Sequence, residues 1–271
     1  MSEIIQLNEF SKYHDEKNVF FCKTDLLEKD FDTIKKLNNK VILITGNSDF
    51  SITDNLVKKC PPNVVKWFCQ NNAASDSRLI SMPMGIENSF ESKRLHHGCA
   101  WNFAIEKNKI LSTIFDKKIS GRKQNLIYAN FNVNTNLKWR NKIKNLCEDC
   151  NHVTFKNYGL SYQEFISDVI SHDAVLCPVG NSPEGVADNH RIYEVLYSNR
   201  VPIVFSKNQN ILYDKLYKFL PIVLLDDENK ILDKDFMLNQ IYSVKNKNIN
   251  KIKLSYWKNI LNYEKECCIA R

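Results

Sequence analysis

The residues best equipped for chemistry lie between Ala174 and Val204. An apolar run, Ala174 to Cys177, ends at Pro178 and a turn containing Gly180 and Asn181. A polar loop follows, then a helix opening near Asp188 or Asn189 with His190, Arg191 and Glu194 in its first turns, then a second apolar run, Val201 to Phe205. Strand, loop, helix, strand is the βαβ unit of a parallel sheet, and ligands gather where such strands end and such helices begin. The first N–H groups of a helix have no partner within it and draw anions, and a histidine and an arginine there add cationic donors. Arg191 and Glu194 are three apart and share one helical face, so a cation can meet a phosphate while a carboxylate accepts from ribose hydroxyls. Gly180 and Asn181 permit close approach to the backbone. The expected chemistry is a nucleotide-sugar donor pocket. The competing reading is an i,i+3 surface ion pair worth about 0.2–0.5 kcal/mol.

Sugar transfer also needs charge stabilisation on the leaving diphosphate and a base for the acceptor hydroxyl. Metal-dependent transferases hold the diphosphate through Asp-x-Asp at a strand end. Here Asp30-Phe31-Asp32 and Asp233-Lys234-Asp235 lie in charged helix-like stretches, and Asp226-Asp227 is an adjacent pair. The expectation is therefore that no metal or other cofactor is required and that cations do this work. Arg191 leads, with His190 and Arg140 supporting and the helix start at Thr135 and Asn136 adding free N–H groups. Arg140 also reads as an ordinary arginine early on a helix, and His190 as a helix-start hydrogen-bonding residue. The candidate base is Asp49, in the turn after the strongest strand, with Glu87 as runner-up or acceptor contact. Turn chemistry or helix capping is the competing reading of Asp49.

The ordered set resembles the exostosin-like glycosyltransferases. Cys177-Pro178-Val179-Gly180-Asn181, His190-Arg191, Glu194 and Val201-Pro202-Ile203-Val204 carry the C-terminal part. Upstream, Ile44 to Asp49, Trp67 to Asn71, Met82 to Asn88 and Tyr128 to Asn136 look similar in the same order, so the resemblance spans roughly residues 20 to 225. The loop between Gly180 and His190 departs by being longer. The resemblance implies a GT-B architecture, a UDP-sugar donor, a glycan hydroxyl as acceptor and inversion at the anomeric carbon. Other classes stay open: a retaining transferase or epimerase on such a scaffold, or a non-catalytic nucleotide or sugar binding module.

These residues need a frame, and the chain supplies an α/β one twice. Strand-like runs at 18–22, 41–45, 64–68 and 79–82 alternate with helices at 31–37, 54–59 and 104–115. After a basic link, 115–124, strands at 125–129, 153–155, 175–177, 201–205 and 222–225 alternate with helices at 137–147, 162–170, 189–197 and 211–219, and helices near 231–243 and 253–267 close the chain. The expected fold is two Rossmann-like, doubly wound parallel-sheet domains facing a cleft. Residues 1–120 form the acceptor side and 121–271 the donor side, with a last helix that crosses back.

Composition excludes other classes. The net charge of +7 is spread along the chain, and runs such as Lys107 to Lys123 read as solvated faces, so nucleic acid is not an expected partner. No apolar stretch approaches the roughly 20 residues that span a bilayer. Met1 to Asn18 is polar and acidic rather than a secretory leader, and a cytoplasmic location is expected. The nine cysteines read as reduced thiols. Cys147 and Cys150 lack a second pair at zinc-ribbon spacing. Cys177, beside the expected pocket, is the thiol whose modification would inhibit.

Overall fold

A computed structural model of the chain describes residues 2–16, 18–119, 121–180, 186 and 188–269. The chain forms two compact units: Met1–Glu106 with Ser182–Asp188 and Asn250–Arg271, and Lys107–Asn181 with Asn189–Ile249.

In the first unit, helix α1 (Asn8–Ser11) precedes strand β1 (Val19–Lys23), and α2 (Leu27–Lys35), β2 (Val41–Gly46), α3 (Asp54–Lys58), β3 (Val64–Cys69) and β4 (Leu79–Ser81) follow. The four strands form one wholly parallel sheet in the order β1-β2-β3-β4. The run Val-Ile-Leu-Ile-Thr-Gly of β2 is buried at every position, as expected of a strand covered on both faces. Trp67 sits under α2, edge-on to Phe31 at 6.1 Å, and its indole N–H donates to Thr45 Oγ1 at 2.8 Å, so the largest core side chain is also satisfied. Helix α2 opens at Leu27, four residues before the expected start at Phe31. The spacing of Leu27, Phe31 and Ile34, all in the core, explains the earlier start. The first residues are not a polar lead-in either. Ile4, Ile5, Leu7 and Phe10 are buried, and Ile4 bridges to Lys253 ahead of the C-terminal helix.

Helix α4 (Asn102–Lys117) leads into the second unit. There β5 (Asn125–Ala129), α5 (Leu137–Glu148), β6 (Val153–Phe155), α6 (Tyr162–Ile170), β7 (His172–Leu176), α7 (His190–Tyr197), β8 (Val201–Phe205), α8 (Ser206–Lys215), β9 (Val223–Leu225) and α9 (Lys234–Val244) alternate; α10 (Leu254–Ile269), which closes the chain, belongs to the first unit. The sheet is again wholly parallel, in the order β6-β5-β7-β8-β9. The chain steps one way from β5 to β6 and the other way from β7 onward. Loops leaving β5 and β7 therefore diverge, opening a crevice at their C-terminal ends. Ile143 and Cys147 of α5 join Met237, Ile241 and Val244 of α9 in the core on the sheet. Two boundaries differ from expectation. Strand β7 starts at polar His172, whose Nδ1 lies 2.7 Å from the Asp168 carbonyl, while its buried Nε2 has no hydrogen-bond partner among the described residues. Helix α8 starts directly after β8, and 217–219 form a separate 3₁₀ turn.

Candidate functional site

The crevice of the second unit is pinned by one side chain. Arg140 on α5 donates from Nη1 to the Asn132 carbonyl (2.8 Å), from Nη2 to that of Pro178 (2.8 Å) and from Nε to that of Val179 (3.1 Å). One guanidinium thereby ties the loop leaving β5 to the loop leaving β7. Burial, then the charge of Arg191, bring its pKa down to about 10. The expected supporting role of Arg140 at a phosphate gives way to positioning, because its fork is turned onto three carbonyls. A Cβ on Gly180 would stand 3.1 Å from Arg140 Nη2 and 3.8 Å from Thr135 Oγ1, so a larger residue there would need the Arg140 fork to give by a few tenths of an ångström. Thr135 Oγ1 donates to the Asn132 carbonyl at 3.0 Å, and Asn136 holds the start of α5 without a side-chain cap. Asn181 lies outside the described residues.

Helix α7 opens at His190, with Asn189 as its N-cap: Asn189 Oδ1 accepts from Ile192 N at 3.2 Å. Glu194 is only 3% exposed, which removes the surface ion-pair reading. Its Oε2 lies 3.3 Å from Arg191 Nε, and its Oε1 accepts from Lys107 Nζ at 2.5 Å. Arg191 is stacked on Phe165, with the guanidinium carbon 3.7 Å from the ring centroid. Its Nη1 is buried with no hydrogen-bond partner among the described residues. A buried donor left unmatched costs about 1–3 kcal/mol, so an anionic oxygen placed there would be strongly held.

Cys177 sits among these groups. Burial pushes its thiol up to about 12 against the nearby charges of Arg191 and Arg140. With 1% exposure it is the packed hydrophobe that its apolar run implies, and burial leaves it no access for the inhibitory modification expected of it. Lys107 is the residue the sequence did not flag. It sits in a basic run that reads as a solvated face, yet its side chain is only 15% exposed and lies 5.2 Å from the centre of the Tyr162 ring.

In the first unit the motif residues follow the C-terminal ends of the strands and bond mainly to one another. Asn47, at φ +54°, donates from Nδ2 to Asn8 Oδ1 (2.8 Å) and to the His97 carbonyl (2.9 Å), and accepts from Asn88 Nδ2 (2.9 Å). Gln70 Oε1 accepts from Asn47 N, and Asn71 Oδ1 accepts from Asp188 N, both at 3.0 Å. Asp188 Oδ2 in turn accepts from Met84 N at 2.9 Å. These asparagines build the sheet edge. Asp49 stands on a bend beyond it, exposed, and no hydrogen bond to another described residue orients its carboxylate. It caps no helix either, since α3 is capped by Thr53. Glu87 is half-buried, and its carbonyl accepts from Gln6 Nε2 at 2.7 Å.

One buried trio, Cys22, Asp30 and His97, has potential ligand atoms within 4.8 Å of one another. Arg94 already grips both oxygens of Asp30, at 2.6 and 2.7 Å. Burial alone would raise the Asp30 carboxyl, but hydrogen bonds from Arg94 and Cys22 outweigh it and hold it below the usual range. The Cys22 thiol is pushed up by burial and then by its bond to Asp30. A metal would have to displace Arg94 and deprotonate that thiol, so the trio reads as an ion-pair network.

No family model and no curated protein matches the chain. Among solved structures, an α1,3-fucosyltransferase is similar at a TM-score of 0.46 and 14% identity, over 94% of this chain and 84% of that one. An α1,3-fucosyltransferase with GDP-fucose is similar at 0.43 and 12%, over 90% and 78%. Likeness at this level assigns neither site nor substrate, and the residues themselves must do so.

Proposed function

We propose that the chain is a glycosyltransferase that takes its sugar from a nucleotide donor held on the second unit. The observation that carries this reading is Arg191, whose buried Nη1 has no hydrogen-bond partner among the described residues beside the buried carboxylate of Glu194, at the start of α7 on the ligand edge of a parallel sheet. Arg191 donates to the diphosphate and offsets the charge that builds as the glycosidic bond breaks. His190 and the first N–H groups of α7 add donors. Glu194 accepts from the ribose hydroxyls, because a carboxylate has about four acceptor positions and its two cations occupy only two. Gly180 gives the donor room at the backbone. No metal is required for these roles. Asp49 takes the proton of the acceptor hydroxyl, with Glu87 as runner-up, and the exostosin-like resemblance implies inversion and a uridine diphosphate carrier.

A second reading, a nucleotide or sugar binding module without turnover, draws on one observation: no hydrogen bond from another described residue orients the Asp49 carboxylate. Asp49→Asn separates the two. An enzyme loses about 100-fold or more in kcat with donor affinity unchanged, whereas a binding module shows no turnover to lose.

Nucleotide binding is tested by thermal shift and calorimetry with UDP, GDP, CMP and their sugar conjugates, with EDTA and with Mg²⁺ or Mn²⁺. One diphosphate should bind with EDTA present and lose about tenfold or more in Arg191→Ala and Glu194→Gln. Indifference of the folded protein to every nucleotide would end the transferase reading.

A further inference from the structure

A cavity of about 530 Å³ opens at the C-terminal ends of β8 and β9, against the start of α5. It lies on the ligand edge of the second sheet and falls within the size range of small-molecule sites. One wall is Trp139, held edge-on to Phe205 with centroids 5.5 Å apart, so the indole is set in orientation. The polar part of the lining is Asn136, Ser206, two lysines, Lys138 and Lys142, and two carboxylates, Asp226 and Glu228.

Each of those carboxylates already has an ammonium partner. Glu228 pairs with Lys142, and Asp226 with Lys230 at 2.7 Å. Two lysines stand against two carboxylates in the lining, so its charge is balanced and neither a metal cation nor an anion meets a surplus of the opposite sign. A neutral ligand fits better if its groups both donate and accept, because a hydroxyl can give its proton to a carboxylate and accept from the neighbouring ammonium. An indole wall suits a flat face of C–H groups. Hydroxyls around the rim and C–H groups on the face describe a sugar ring. A nucleobase carries its hydrogen-bonding groups in one plane and has no rotating hydroxyl, so it matches a rim of mixed carboxylates and ammoniums less well than a ring of hydroxyls does.

We propose that this cavity is a saccharide subsite for a neutral pyranose, in which Asp226, Glu228 and Lys142 bind ring hydroxyls and Trp139 packs on the ring face. The proposal rests on the donor reading above for which saccharide enters. Asn136 in its lining follows Thr135, whose Oγ1 stands 3.8 Å from where a Cβ on Gly180 would lie, so the cavity is close to the turn assigned to the donor. The ring is therefore placed as the sugar end of the donor. A neutral sugar of the acceptor shares the same chemistry, and the experiment separates the two.

The full chain and its Glu228→Gln, Asp226→Asn and Trp139→Phe variants are compared by calorimetry with UDP and GDP against their neutral hexose conjugates. Methyl hexosides are followed by saturation-transfer NMR, and circular dichroism confirms that each variant is folded. The expected result is a hexose conjugate that binds the parent chain at least about fivefold tighter than its diphosphate. The variants should erase that increment and leave diphosphate affinity within about twofold. Methyl hexoside signals that vanish in the variants, with no increment on the donor, would support the subsite and make the acceptor its source. Equal weakening of diphosphate and conjugate would overturn the proposal, because the cavity would then hold the nucleotide. Unchanged binding in all three variants would overturn it as well. If no nucleotide binds at all, the donor reading fails, and the hexoside signals still decide the cavity.

Discussion

At the residue scale, Glu194 is best understood as a buried carboxylate that carries two cations rather than one. Arg191 lies on the same helix, but Lys107 comes from 87 residues away, so the second half of the arrangement is made by the fold. Lys107 takes up part of the carboxylate's field, which leaves Arg191 its stacked position on Phe165 with Nη1 unspent. Lys107→Met should let Glu194 draw Arg191 inward. The expected outcome is a diphosphate affinity lowered about three- to tenfold, with folding stability lower by roughly 1–3 kcal/mol because a buried pair has been broken. Lys107→Arg should restore most of the affinity. A chain that loses stability in urea titrations yet binds diphosphate as before would show Lys107 to be a packing partner only.

At the element scale, loops at the C-terminal ends of strands carry the chemistry, and their backbones are held by close approach. Gly85 has φ +69°, and a Cβ there would collide with the carbonyl oxygen of Ile5, a backbone atom that cannot rotate aside. Gly159 has φ +114° with nothing within 4 Å of its Cβ position. Both Gly→Ala changes bear the cost of an unfavourable backbone, about 1 kcal/mol, but only Gly85→Ala adds a clash. The Gly85 variant should lose roughly 3 kcal/mol or more, and Gly159→Ala about 1. Equal losses in urea titrations would mean that the Ile5 contact relaxes freely. Much of this framework is legible in the chain. Val41 to Thr45 reads as the clearest strand, and Gly180, His190, Arg191 and Glu194 can be placed from a strand, a turn and a helix start. The direction of the Arg140 fork cannot, because three carbonyls from two loops claim it only once β5 and β7 are neighbours. Lys107 was hidden for the same reason. Asn8, in a segment that reads as polar, gives no hint that it would hold Asn47 and Asn88.

At the scale of the whole molecule, pH is the variable that reports the buried ion-pair network. His97 Nδ1 accepts from Lys23 N at 3.0 Å and lies 3.9 Å from Asp30, while burial and then the charge of Arg94 lower its pKa from 6.5 to about 4. Burial also lowers His14 and His172. A histidine depressed in the folded chain is neutral there while the unfolded chain is already protonated. The unfolded state therefore binds more protons between about 6.5 and 4, and folding stability is full above that window and falls as pH drops through it. Asp30 follows the same sign lower down: its carboxyl is held below 3.8 in the fold, so its contribution is present above that value and is lost on further acidification. A shift of one pKa unit corresponds to about 1.4 kcal/mol, which makes His97 alone responsible for up to roughly 3 kcal/mol between pH 7 and pH 4. His97→Gln removes that titration while keeping an acceptor for the Lys23 N–H. The variant should start less stable at pH 7 and converge on the parent chain as pH falls toward 4, in denaturant titrations at pH 7, 5.5 and 4. Stability curves that fall in parallel would assign the acid limb to other groups and leave His97 a neutral bystander of the Asp30–Arg94 pair.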